Sequence, residues 1–111
     1  MEAVPLAPED RAILALESDT IAGHTCKVVV LGAGAPAAGA LRETIARRLT
    51  AAPLLRCRLG GTADAPAWVD DERFDAARHV VAADVTDVLD AAGLRAEVAR
   101  LFAQRLDRDR P

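Results

Sequence analysis

The sequence predicts an α+β fold, a small mixed sheet with about three helices packed on it. Three observations carry this. Aliphatic residues recur at helical spacing in three separated stretches. Thr25 to Leu31 (TCKVVVL) is rich in β-branched residues, which favour strands. Gly60-Gly61-Thr62-Ala63-Asp64 is turn chemistry between two short strand candidates.

Pro8-Glu9-Asp10 reads as a helix start, because proline suits the first turn and acids favour the positive end of the helix dipole. Ala12, Ile13 and Leu16 share a face, and the helix is expected to stop near Ser18-Asp19. Within Thr25–Leu31, Cys26, Val28 and Val30 form one face, while Thr25 and Lys27 give way to Val29 and Leu31 on the other. That pattern predicts a central strand, buried on both faces at its end. A second helix is expected over Ala38 to Thr50, with Leu41, Ile45 and Leu49 in one stripe and Pro53 ending it. Leu54 to Leu59 reads as a short strand, and Pro66 to Val69 returns as its hairpin partner. Asp70 to Ala77 reads as a loop or helical turn, and His79 to Val85 as a weaker strand. The last helix is expected over Asp90 to Leu106, its stripe formed by Leu94, Val98, Leu101 and Phe102.

Length allows one domain or part of one: the chain has 111 residues. Hydrophobic residues make up 51%, but 25 of them are Ala, and the aromatics are only Trp68, Phe74 and Phe102, so the core is aliphatic and small. No apolar run approaches the ~20 residues that cross a bilayer. Met1-Glu2-Ala3-Val4-Pro5 carries neither a basic region nor an apolar stretch, so no secretory signal is visible. A net charge of −3 argues against nucleic-acid binding. Cys26 and Cys57 have no CxxC spacing and no histidine at metal spacing, so both are expected as reduced, buried thiols.

Each group that carries chemistry has a structural reading beside the functional one. Gly32-Ala33-Gly34-Ala35-Pro36-Ala37 fits G-x-G-x-x-[GA] between a strand and a helix, the setting of a dinucleotide turn. Pro36 removes one amide donor, and Leu55-Arg56-Cys57-Arg58 offers no acid for a ribose, although Arg56 or Arg58 suits a 2′-phosphate. The plain reading is a loop of small residues. His24 and His79 are not adjacent and are expected to be structural. Ser18 sits at a helix end beside Asp19, with nothing to support a Ser/His/Asp site. Asp70-Asp71-Glu72 reads as a solvated turn. Arg42, Arg47, Arg48, Arg56 and Arg58 read as a charged helix face and a strand edge. No residue is assigned to catalysis, to a cofactor or to a metal.

Taken in order, these pieces resemble a known family. Pro8-Glu9-Asp10 to Leu16-Glu17, then His24, then Arg48-Leu49 to Pro53 and Leu55-Arg56-Cys57-Arg58-Leu59, are similar to the N-terminal part of bacterial wax ester synthase/diacylglycerol acyltransferases. Pro66-Ala67-Trp68-Val69-Asp70-Asp71-Glu72-Arg73-Phe74-Asp75 with His79-Val80 is the most specific stretch, and Leu106 to Pro111 resembles the approach to the family's Pro-Leu-Trp motif. The resemblance implies part of a chloramphenicol acetyltransferase-like lobe, in a fold of two α/β lobes with a substrate tunnel between them. It implies acyl-CoA-dependent transfer to diacylglycerol or a fatty alcohol, in triacylglycerol or wax ester synthesis, with no metal or bound cofactor. It implies a cytoplasmic location, peripheral to a membrane or lipid droplet.

The chain departs from the family in one decisive way. The family's base lies in His-His-x-x-x-Asp-Gly, and this sequence contains no such motif. The sequence given ends at Pro111, after which the family's motif would continue with Leu-Trp. The expectation is therefore an N-terminal segment, residues 1–111, inactive alone. Its uncovered apolar surface is expected to lead to self-association, a molten state or dependence on a partner chain. The alternatives are a non-catalytic lobe or interaction module needing such a partner, and a small dinucleotide-binding domain using Gly32–Ala37.

Overall fold

The computed structural model describes residues 1–85 and 87–111. Helix α1 runs Pro8–Leu16 with Pro8 in its first turn and Glu9 and Asp10 facing the dipole, as the sequence predicts. Helix α2 runs Ala38–Arg48, with Arg47 and Arg48 in its last turn, and tightens into a 3-10 turn at Leu49–Ala51. Helix α3 runs Ala91–Phe102. Asp90 caps it, accepting from the Gly93 N–H at 2.7 Å, and the helix ends four residues short of the expected Leu106.

Three strands form the sheet: β1 (Val4–Pro5), β2 (Cys57–Gly61) and β3 (Pro66–Asp70), in the order β1-β3-β2. All described pairings are antiparallel, with Cys57 opposite Asp70 and Gly61 opposite Pro66. The expected hairpin is present. Thr62 and Ala65 exchange backbone hydrogen bonds of 3.2 and 3.1 Å across its loop. Gly61 turns the chain at φ +79°, a backbone conformation that side chains other than glycine's resist, and a Cβ there would run into the Ala65 carbonyl. The first half of the expected Leu54–Leu59 strand is instead a 3-10 turn, Pro53–Arg56, because Pro53 fixes helical φ at its start.

Two expectations are corrected. Thr25–Leu31 belongs to no strand, and Val28, Val29, Val30 and Leu31 are 52, 79, 77 and 57% exposed. β-branched residues favour extended backbone, but a strand persists only where a neighbouring edge completes its hydrogen bonds. No described strand pairs with this segment. Cys26 within it is exposed for the same reason, whereas Cys57 is buried as expected. The second correction is at His79–Val85, where no strand forms. The Asp75 carboxylate accepts from the Ala77 N–H at 2.9 Å and starts a 3-10 turn over Ala76–Arg78 instead.

The buried apolar residues among those described are Leu6, Leu49, Cys57 and Ala67, and none of them is completely shielded from water. Accessible surface totals 8746 Å², against about 5,900 Å² for a folded chain of this mass. The radius of gyration is 16.4 Å, against about 13 Å for a closed domain of this length. Apolar area left in water contributes nothing to stability, so the residues described hold themselves together with a small core and a set of polar ties.

Candidate functional site

Side chains alternate across the sheet, so Cys57 and Leu59 of β2 share a face with Trp68 of β3. That face forms the floor of a cleft of about 580 Å³. Ile13 and Leu14 of α1 line one wall, and Leu101 and Leu106, from α3 and the residues after it, line another. Arg78, His79, Arg105, Arg108 and Arg110 line the same cleft, together with the acids Asp10 and Asp107.

The residues after α3 are held by polar ties to the loop after α1. Arg108 forms an ion pair with Glu17, and its Nε donates to Glu17 Oε2 at 3.3 Å. Glu17 also accepts from the Gly23 N–H at 3.1 Å. Arg105 donates to the Ser18 carbonyl at 2.7 Å and to the Ile21 carbonyl at 3.3 Å. His24 Nε2 donates to the Phe102 carbonyl at 2.8 Å, with the two rings edge to face. Gly23 lies close against α1, and a Cβ there would lie 2.6 Å from Ile13 Cγ2.

Electrostatics follow from these contacts. The Arg108 hydrogen bond holds the Glu17 carboxyl below the usual glutamate range. Loss of water around the imidazole, and then the nearby Arg110 charge, lower the His79 pKa. His79 stacks flat on Phe74, with centroids 5.0 Å apart, and the Arg56 guanidinium lies 5.5 Å from the Phe74 ring. Burial raises the Cys57 thiol pKa, so it stays protonated and inert at neutral pH.

The residues weighed from sequence fall in separate places. Gly32–Ala37 is an exposed loop with a turn closed by Ala35 N–H to the Gly32 carbonyl at 3.3 Å, before α2 starts at Ala38. Ser18 Oγ accepts from the Thr20 and Ile21 N–H groups at 3.3 and 3.2 Å, so its oxygen shapes the loop after α1. Asp71 accepts from the Arg73 N–H at 3.0 Å, a local turn. Arg42 donates to the Val80 carbonyl at 2.9 Å, tying α2 to the 3-10 turn, and Arg58 donates to the Leu59 carbonyl at 3.3 Å. Among the described residues no group of His, Cys, Asp or Glu is arranged to hold a metal ion. No helix among them is long and apolar enough to cross a membrane.

Sequence reading missed the cleft arginines. Asp107-Arg108-Asp109-Arg110 reads as a chain end of alternating charge, and nothing in that alternation points to a cleft.

No curated protein and no solved structure matches the chain. The family described as wax ester synthase/diacylglycerol acyltransferase catalytic domain matches residues 6–111, all but the first five. With so nearly the whole chain matched, the protein belongs to the wax ester synthase/diacylglycerol acyltransferase family, within that family's catalytic domain.

Proposed function

We propose that residues 1–111 form the N-terminal portion of an acyl-CoA-dependent O-acyltransferase lobe, serving transfer to diacylglycerol or a long-chain alcohol. The family match over residues 6–111 carries this reading. In such a reaction a base takes the proton of the acceptor hydroxyl, the oxygen attacks the thioester carbonyl, and the CoA thiol leaves with a proton. A positioned base contributes about 10²–10⁴-fold to such a step.

Neither histidine here is read as that base. The His24 ring nitrogen is occupied by the Phe102 carbonyl, and the His79 ring is stacked on Phe74. The chain's role in this reading is to supply packing surface, including the exposed Val28–Leu31 segment, to elements that carry the His-His motif. The purified chain, given an acyl-CoA and diacylglycerol, is expected to form no triacylglycerol. Turnover abolished by His24→Ala or His79→Ala would overturn this assignment.

A further inference from the structure

Among the described residues, neither α1 nor α3 carries a buried side chain. Apolar packing therefore does little to fix one helix against the other. A polar cluster does so instead. Glu17 accepts from Arg108 and from the Gly23 N–H, and Arg108 also donates to the Gly23 carbonyl at 3.4 Å. His24, the next residue, donates to the Phe102 carbonyl at 2.8 Å. The Glu17 side chain is only 15% exposed, so salt and water screen this cluster weakly. Arg110 anchors the residues after α3 to the body of the fold, donating to the Arg78 carbonyl at 3.0 Å. Glu17 carries that anchorage across to Gly23 and His24. Thr25–Leu31 starts directly after them, pairs with no described strand, and exposes Val28 to Leu31. Its direction is therefore set at its root, where Glu17 holds it.

We propose that Glu17 is a positioning residue. Through Arg108 and Gly23 it fixes the direction of the exposed Thr25–Leu31 segment relative to the residues after α3, and so presents that segment preformed to the polypeptide that carries the acyltransferase's base. A segment already held in its bound direction loses less freedom on association, which strengthens binding without a new contact. The arginine fork suits this task, because it grips a carboxylate at two points and fixes an angle as well as a distance. Binding to that polypeptide rests on the acyltransferase reading, whereas the fixed direction is a property of this chain alone.

Cys26 is an exposed free thiol inside the segment, and Cys57 is buried. Asp109→Cys adds a second exposed thiol after α3. Nitroxide labels on the two, in the full chain diluted with unlabelled chain, give a distance distribution. With Glu17 and Arg108 intact it is expected to be narrow. Glu17→Gln and Arg108→Gln should each broaden it about twofold, while Arg108→Lys, which keeps the charge, restores most of the narrow form. Circular dichroism and a thermal melt on the same samples show that each variant is measured folded, so a smaller folded fraction does not pass for a change of direction. A broad distribution with both residues intact, or an equally narrow one in Glu17→Gln, would overturn the proposal. The second measurement is affinity for a separate polypeptide that carries His-His-x-x-x-Asp-Gly. Glu17→Gln should weaken association about three- to tenfold without lowering turnover at saturation. Unchanged affinity would overturn the presenting role. No association by the wild-type chain would overturn the acyltransferase reading and the presenting role with it, and the distance distribution tells that failure apart from failure of the positioning role.

Discussion

Arg108 and Glu17 are 91 residues apart in the chain and form an ion pair between the residues after α3 and the end of α1. Glu17 is the C-cap residue of α1, and its side chain also receives the Gly23 N–H at 3.1 Å. One carboxylate therefore fixes the loop over 17–23 and the residues following α3 at once. With so few buried residues, such long-range ties define much of the described arrangement.

Glu17→Gln is expected to lower stability by about 1 kcal/mol, since Arg108 remains partly solvated when its partner is lost. Arg108→Gln should cost a similar amount, and the double variant less than their sum. Thermal melts of the four proteins check this. The wild-type advantage should shrink at about 1 M salt, where the screening length falls to ~3 Å.

Acid should destabilise the fold in two stages. His79 has a lowered pKa, so the unfolded chain binds a proton more readily than the native one. Stability is full above the ordinary histidine value of about 6.5 and falls as pH drops below it. Glu17 is also lowered, so its contribution is present above the ordinary glutamate value of about 4.3 and is lost as pH falls through the lower native value. Urea midpoints between pH 8 and pH 3 measure both stages. His79→Gln should remove the upper one and leave the lower.

Gly61→Val should cost about 1–3 kcal/mol, because the residue holds φ +79° and its Cβ would meet the Ala65 carbonyl. Gly32→Ala, with nothing within 4 Å of its added Cβ, should stay within about 0.5 kcal/mol of wild type. Denaturant midpoints of the two variants separate the hairpin that holds the cleft floor from a loop that holds nothing.

Val29, 79% exposed, is on a segment without strand partners. Val29→Lys should therefore change the stability of the isolated chain by less than about 0.5 kcal/mol. It should also lower any self-association, since exposed apolar runs with open backbone groups invite pairing. Concentration-dependent sedimentation of the variant against wild type measures this.

What was legible in the sequence was local. Pro8 with its two acids, the turn at Gly60–Asp64 and the stripe from Leu94 to Phe102 act within a few residues, and the structure has a helix, a hairpin and a helix there. Thr25–Leu31 was misread because its residues specify extended backbone but not the edge that would pair with it. His79–Val85 forms no strand because the His79 and Val80 N–H groups turn back to the Ala76 carbonyl and no described strand pairs with the rest. The cleft was hidden for another reason. Arg78, Arg105, Arg108 and Arg110 converge only once Glu17, Ser18 and Ile21 have captured the residues after α3.

The central claim, that this chain serves an acyltransferase whose base it does not itself provide, is tested by complementation. The chain would be co-expressed with a second polypeptide of the same family that begins at the Pro-Leu-Trp motif and carries His-His-x-x-x-Asp-Gly. The purified mixture would then be assayed for triacylglycerol from an acyl-CoA and diacylglycerol. The account predicts co-purification and turnover that neither polypeptide shows alone, lost when the second motif histidine of the partner is changed to Ala and kept in His24→Ala and His79→Ala. Turnover by the 111 residues without the second polypeptide would contradict it.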